Sequence, residues 1–112
     1  MIGRIVTVTV DRKLGSYHPI HWNHFYPLNY GFISSIIGGD GEAQDAYIVG
    51  VDEPVDAFTG KIIAIIHRND DIEEKWVVAP ENVAFTKAEI IRLTHFQEHT
   101  LIAMCVPNKR FL

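Results

Sequence analysis

Only one cysteine, Cys105, occurs among the 112 residues, so no disulfide can form within the chain. A reducing cytoplasm is the compartment that fits this usage. Apolar residues nowhere run to the roughly 20 that a membrane-spanning helix requires. The opening Met-Ile-Gly-Arg-Ile-Val also lacks the charged-then-apolar layout of a signal peptide. Membrane residence and secretion are therefore not expected. Internal repeats, linkers and low-complexity stretches are missing too, which leaves residues 1–112 as a single domain.

Positive charge is scarce as well. Lys and Arg total 10 against 14 Asp and Glu, a net charge of −4, and the cations form no run. A nucleic-acid binder needs clustered cations to neutralise phosphates, so a small-barrel nucleic-acid module is disfavoured. Gly38-Gly39-Asp40-Gly41 has the glycines of a phosphate-cradling loop, but no helical pattern follows to present backbone amides.

What remains is an ordinary globular composition, 47% apolar and 21% charged. Residues 2–10 alternate, with Val6, Val8 and Val10 on one face and Thr7 and Thr9 on the other, which predicts a half-buried strand. Residues 11–16 read as a turn pivoting on Gly15. An irregular aromatic loop is expected over residues 17–29. Its His18, His21 and His24 are better explained by packing or exposure than by zinc ligation.

Apolar, partly β-branched runs at 30–37, 46–51 and 61–66 predict further strands, the last one buried. Residues 75–79 return from 61–66 as a hairpin with an acidic tip. Thr86-Lys87-Ala88-Glu89 is a capping box, and Ile90, Leu93 and Phe96 continue it as a helical stripe to about residue 99. On that helix His95 and His99 are assigned to packing. The apolar stretch 101–106, with Cys105, either adds a strand or covers a neighbouring subunit. The sum is an α+β domain centred on a small barrel-like sheet.

Two acidic groups stand out chemically. Asp40-Gly41-Glu42-Ala43-Gln44-Asp45 places three carboxylates within six residues, read here as a turn entering a strand at Ala46. Carboxylates on such a turn can converge on a hard cation such as Mg²⁺, which takes oxygen ligands and leaves positions for phosphates. The second group is Asp70, Asp71, Glu73 and Glu74 on the hairpin, followed by Lys75. Glu73 and Lys75 are two apart and should share a strand face. Either group taken alone also suits a solvated turn.

The two segments Tyr26-Pro27-Leu28-Asn29-Tyr30-Gly31-Phe32-Ile33 and Asp40-Gly41-Glu42-Ala43-Gln44-Asp45 resemble the signature region of soluble family I inorganic pyrophosphatases. Glu73-Glu74-Lys75-Trp76-Val77-Val78-Ala79-Pro80 and His95-Phe96-Gln97-Glu98-His99 resemble later family segments in the same order. The resemblance implies a highly twisted, five-stranded, OB-like β-barrel with a C-terminal helix, and a homo-oligomer. It implies Mg²⁺ as cofactor and pyrophosphate and phosphate as ligands. Asp40, Glu42, Asp45, Glu73 and Asp70 or Asp71 match metal-binding positions. Arg12 and Lys75 match phosphate-binding cations, and Tyr26 and Tyr30 match tyrosines lining the site.

The implied reaction is metal-assisted hydrolysis, in which two Mg²⁺ ions share and acidify a water. Asp45 would bridge the metals and Glu42 would orient or deprotonate the water. Arg12 and Lys75 would offset charge on the phosphoryl oxygens.

The chain also departs from the family pattern. Glu42 stands where the family has aspartate, Thr100-Leu101 where it has a tyrosine–lysine pair, and Arg68 near another metal-binding aspartate. The N-terminal part bearing a glutamate and a lysine of the site is expected to be missing, making this a shortened member. A catalytically weak or inactive relative that binds a phosphorylated ligand is the alternative reading.

Overall fold

The structure is a computed structural model and describes residues 2–18, 20, 25–39, 41–68, 74–94 and 101–105. These form six strands and one helix: β1 (Ile5–Arg12), β2 (Asn29–Ile37), β3 (Ala43–Ile48), β4 (Ala57–Arg68), β5 (Glu74–Ala79), α1 (Lys87–Thr94) and β6 (Leu101–Cys105). The sheet order is β1-β2-β3-β5-β4-β6, and a further β1–β4 pairing closes the first five strands into a barrel. The sixth strand lies outside that closure, paired antiparallel to β4 with Ile65 opposite Cys105. The α+β, OB-like five-stranded barrel expected from the sequence is what forms.

Alternation along the strands sorts side chains into two layers. Val6, Val8, Val10, Ile33, Ala46, Ile48, Ile62, Trp76 and Val78 come from all five barrel strands and fill the barrel interior. Leu28, Tyr47, Val49, Ile63, Ile66, Val77 and Ala79 form the outer layer, against which Ile90 of α1 is fully buried. The capping box holds as expected. Thr86 N donates to Glu89 Oε1 at 2.7 Å, and Glu89 N donates to Thr86 Oγ1 at 3.1 Å. The helix is described to Thr94; residues 95–99 lie outside the described residues.

Three boundaries differ from the sequence reading, each for a tertiary reason. The first strand runs on to Arg12 instead of ending at Val10, because a bulge keeps it paired with β2: Val10 faces Gly31 and Arg12 faces Tyr30. The turn itself forms around Gly15, which has φ 86° and donates from N to Tyr26 O. The third strand begins at Ala43, so Gln44 and Asp45 belong to a strand. The preceding turn is closed earlier, by Gly38 N donating to Glu42 O at 2.7 Å. The fourth strand begins at Ala57, four residues before the apolar run, because that segment closes the barrel on β1 from Ile5↔Lys61 to Thr9↔Ala57. A Thr7–Thr59 hydroxyl pair at 2.7 Å joins the seam.

Closure demands close backbone approach. A Cβ on Gly31 would lie 1.9 Å from Thr9 O, so the glycine beside Tyr30 is required by β1–β2 packing. Asn29 is fully buried and ties two loops to this end of the barrel. Its Oδ1 accepts from Leu14 N and Val55 N, and its Nδ2 donates to Glu53 O.

Candidate active site

Residues from three adjacent strands meet at one end of the outer layer. Lys75 of β5, 8% exposed, donates from Nζ to Tyr30 Oη at 3.1 Å and lies 3.4 Å from Asp45 Oδ2. Its ammonium also stands 5.7 Å from the centre of the Tyr30 ring. Tyr30 packs in turn on Tyr47, with ring centres 4.9 Å apart, and on Tyr26 at 6.0 Å. Strand alternation explains the convergence: Asp45 and Tyr47 share a face of β3, and Lys75 and Val77 share the matching face of β5.

Burial makes ionisation of the Tyr30 phenol unfavourable and pushes its pKa far above the ordinary tyrosine value, despite the opposing pull of Lys75. Tyr30 is thus a neutral hydroxyl that accepts from Lys75. The Asp45 side chain remains 29% exposed, so one part of the carboxylate meets Lys75 while the group stays open to solvent.

In the sequence Asp11 reads as the first residue of a turn. In the structure the β1 bulge keeps it in the strand beside Arg12. Desolvation raises its pKa, Arg12 opposes that rise, and the negative charge of Asp45 adds to it. Asp11 and Asp45 thus stand on β1 and β3, on either side of β2, near enough for the charge of one to be felt at the other. Arg12 stands opposite Tyr30 and donates from Nη1 to Asp11 O at 3.0 Å. It also lines a cleft of about 380 Å³ with Val10, Asp11, Lys13, Ser16 and Tyr17.

Of the other expected residues, Tyr26 is buried at 3% exposure and reaches the cluster through Tyr30. Glu42 is exposed, immediately ahead of β3. Asp40, Asp70, Asp71 and Glu73 lie outside the described residues. Among the described residues no three His, Cys, Asp or Glu side chains gather closely enough to hold a metal by themselves. His18 accepts from Ile20 N at its Nδ1, a local turn contact; His21, His24, His95 and His99 lie outside the described residues.

Comparison with known proteins agrees with this fold. The family model described as inorganic pyrophosphatase matches residues 6–104. A search of curated protein sequences gave no significant match. Among solved structures, the chain is similar to an inorganic pyrophosphatase from Ehrlichia chaffeensis, at TM-score 0.70 and 14% identity over 95% of this chain and 88% of that one. It is similar to the Helicobacter pylori inorganic pyrophosphatase at TM-score 0.67 and 14% identity, covering 93% and 85% of the two chains. The Thermus thermophilus inorganic pyrophosphatase gives TM-score 0.68 at 15% identity, with 91% and 82% covered. At such identities the structural likeness is one of fold. The described part of the chain contains no helix long and apolar enough to cross a membrane.

Proposed function

Because the chain belongs to the inorganic pyrophosphatase family, a family of enzymes, across residues 6–104, we propose that it hydrolyses inorganic pyrophosphate to phosphate with Mg²⁺ as cofactor. The observation that carries this reading is the contact of Lys75 with both Asp45 and Tyr30, three family-matched residues brought together from β5, β3 and β2.

Asp45 and Glu42, with Asp40, Glu73 and Asp70 or Asp71, are the carboxylates that would hold Mg²⁺; the solvent-open side of the Asp45 carboxylate supports a cation at this end of the barrel. Bound Mg²⁺ would supply an acidified water and withdraw charge from phosphoryl oxygens. Lys75, already desolvated and aimed by Tyr30, offers an ammonium to a non-bridging oxygen with little reorganisation. Arg12, across the strand pair from Tyr30, serves a second phosphoryl group. As the water oxygen bonds to phosphorus and the bridging P–O bond breaks, the Glu42 carboxylate accepts the water's proton. Phosphate departs as the charge it carried is neutralised by the same cations.

The proposal includes its setting. The single Cys105 fits a reducing cytoplasm. Exposed Ile20, Ile37 and Tyr17 support self-association into a homo-oligomer. Neither membrane nor nucleic acid is a proposed partner.

The test is phosphate release from pyrophosphate with Mg²⁺, comparing the native chain with Asp45→Asn. Metal-dependent release that falls by on the order of 100-fold in the variant is expected. No release at stoichiometric protein, with the fold intact, would replace hydrolysis by the ligand-holding alternative.

A further inference from the structure

Gln44 lies on β3 beside Asp45, on the opposite face of the strand from the proposed site. Its side chain points away from Asp45 by strand alternation and is buried to 3% exposure. Buried amides are retained where they satisfy specific partners. Gln44 Nε2 donates to Glu74 O at 2.6 Å and to Asp45 O at 3.0 Å. Both acceptors are backbone carbonyls, one at the start of β5 and one within β3.

The position of these bonds matters more than their number. The parallel ladder between β3 and β5 pairs Ala46 with Trp76, Tyr47 with Val77 and Ile48 with Val78. It stops there, one residue short of Asp45 and Lys75. At that level the two strands carry the 3.4 Å Lys75–Asp45 contact on their outer face. The Gln44 amide bridges the strands just beyond the last backbone pair, in place of the missing rung. Glu74 is held again from the same side of β5. Its Oε1 accepts from Trp76 Nε1 at 3.2 Å, and its Oε2 lies 3.1 Å from His67 Nδ1.

We propose that Gln44 is a positioning residue, an amide clamp whose two bonds to Glu74 O and Asp45 O fix the separation of Asp45 and Lys75 for catalysis. The proposal rests on the reading of Asp45 and Lys75 as site residues. It makes no contact with substrate; it acts by holding two strand ends in register where the ladder has stopped. A displacement of about 1 Å between a metal-binding carboxylate and a phosphate-binding ammonium is enough to cost on the order of 100-fold in rate.

Gln44→Met keeps the length and volume of the side chain and removes both bonds. The control is Thr94→Val on α1, which also deletes a buried hydrogen bond, Thr94 Oγ1 to Ile90 O at 2.9 Å, away from the site. Two quantities are read: steady-state kinetics with pyrophosphate and Mg²⁺, and amide hydrogen exchange of the apoprotein.

The expected result is a kcat for Gln44→Met lowered by about 10- to 100-fold, with KM changed by less than about 3-fold because the phosphate-binding groups remain. Exchange should quicken at residues 45 and 75 while the centre of the β3–β5 ladder stays protected. Thr94→Val should lose comparable thermal stability and keep its kcat. Gln44→Asn, whose amide is one methylene short, serves if the Met variant does not fold, and should behave the same way.

Native kcat in a folded Gln44 variant, or an equal loss in Thr94→Val, would overturn the proposal. Absence of phosphate release from the native chain would instead defeat the functional reading. The clamp would then be judged by exchange alone, and unchanged protection at residues 45 and 75 would reject it.

Discussion

Burying an ammonium group costs several kcal/mol unless partners replace its water. Lys75, at 8% exposure, has the Tyr30 hydroxyl and the Asp45 carboxylate in that role. Nothing in a purely structural account requires a cation there, and an apolar side chain of similar length would fill the same space. Lys75→Met should therefore separate stability from activity. The Asp45 carboxylate left behind still reaches water, so the melting free energy should move by only about 1 kcal/mol in either direction. Hydrolysis of pyrophosphate should fall by on the order of 100-fold or more. Thermal melts and phosphate release on the same preparation make the check; a parallel loss of both would make Lys75 a structural residue. At this scale the sequence was partly transparent. Asp45, Tyr30 and Lys75 could be chosen because their spacing matches a known pattern, and the structure brings them together. Asp11 escaped notice because a bulge, which leaves no trace in residue type, keeps it in the strand. Gln44 escaped because alternation hides it behind Asp45, and only the end of the β3–β5 ladder gives its amide a task.

Elements were legible where local chemistry decides them. The β-branched runs of β1, β2, β4 and β5 announced themselves, and so did the capping box of α1. The boundaries at Arg12, Ala43 and Ala57 were hidden, since each is set by a partner strand distant in sequence. The cap offers an element-scale test with a defined pH dependence. The Thr86 backbone amide, then its hydroxyl, lowers the pKa of Glu89 in the folded state. A carboxylate with a depressed folded pKa adds stability that is complete above its unfolded pKa and is lost as pH falls through the folded one. Glu89→Gln should accordingly lower the melting temperature at neutral pH, and its difference from the native chain should shrink as pH drops below the usual carboxylate range. Thr86→Ala should cost about 1 kcal/mol at neutral pH, because it removes the hydroxyl that Glu89 N uses. Chemical or thermal denaturation at pH steps decides this. A Glu89→Gln deficit that grew in acid would mean that the charge does not act through the cap.

At the scale of the whole molecule, closure is what creates the site. The parallel β3–β5 pairing and the β1–β4 seam were not readable from the sequence, which shows only that strands exist. The parallel pairing, added to β1–β2 and β2–β3, sets β1, β2, β3 and β5 side by side and so brings Asp11, Tyr30, Asp45 and Lys75 to one end of the barrel, while the seam closes it. The chain carries a net charge of −4, and at this end of the barrel the Asp45 carboxylate stays partly open to solvent. A ligand that binds only the closed barrel must stabilise it, by about 2.7 kcal/mol at 100 times its dissociation constant. For a domain of this size each 1 kcal/mol raises the melting temperature by about 4–8 °C. Millimolar MgCl₂ should therefore raise the melting temperature of the native chain by several degrees beyond NaCl of equal ionic strength, which only screens exposed charge. Asp45→Asn should melt somewhat lower than the native chain without Mg²⁺, since it takes the carboxylate partner from the buried Lys75 ammonium, and should lose most of the Mg²⁺ response. If both salts gave the same shift in the native chain, the carboxylates at this end of the barrel would be a solvated surface. The assignment of Mg²⁺ to Asp45 would then fail, whatever the hydrolysis assay showed.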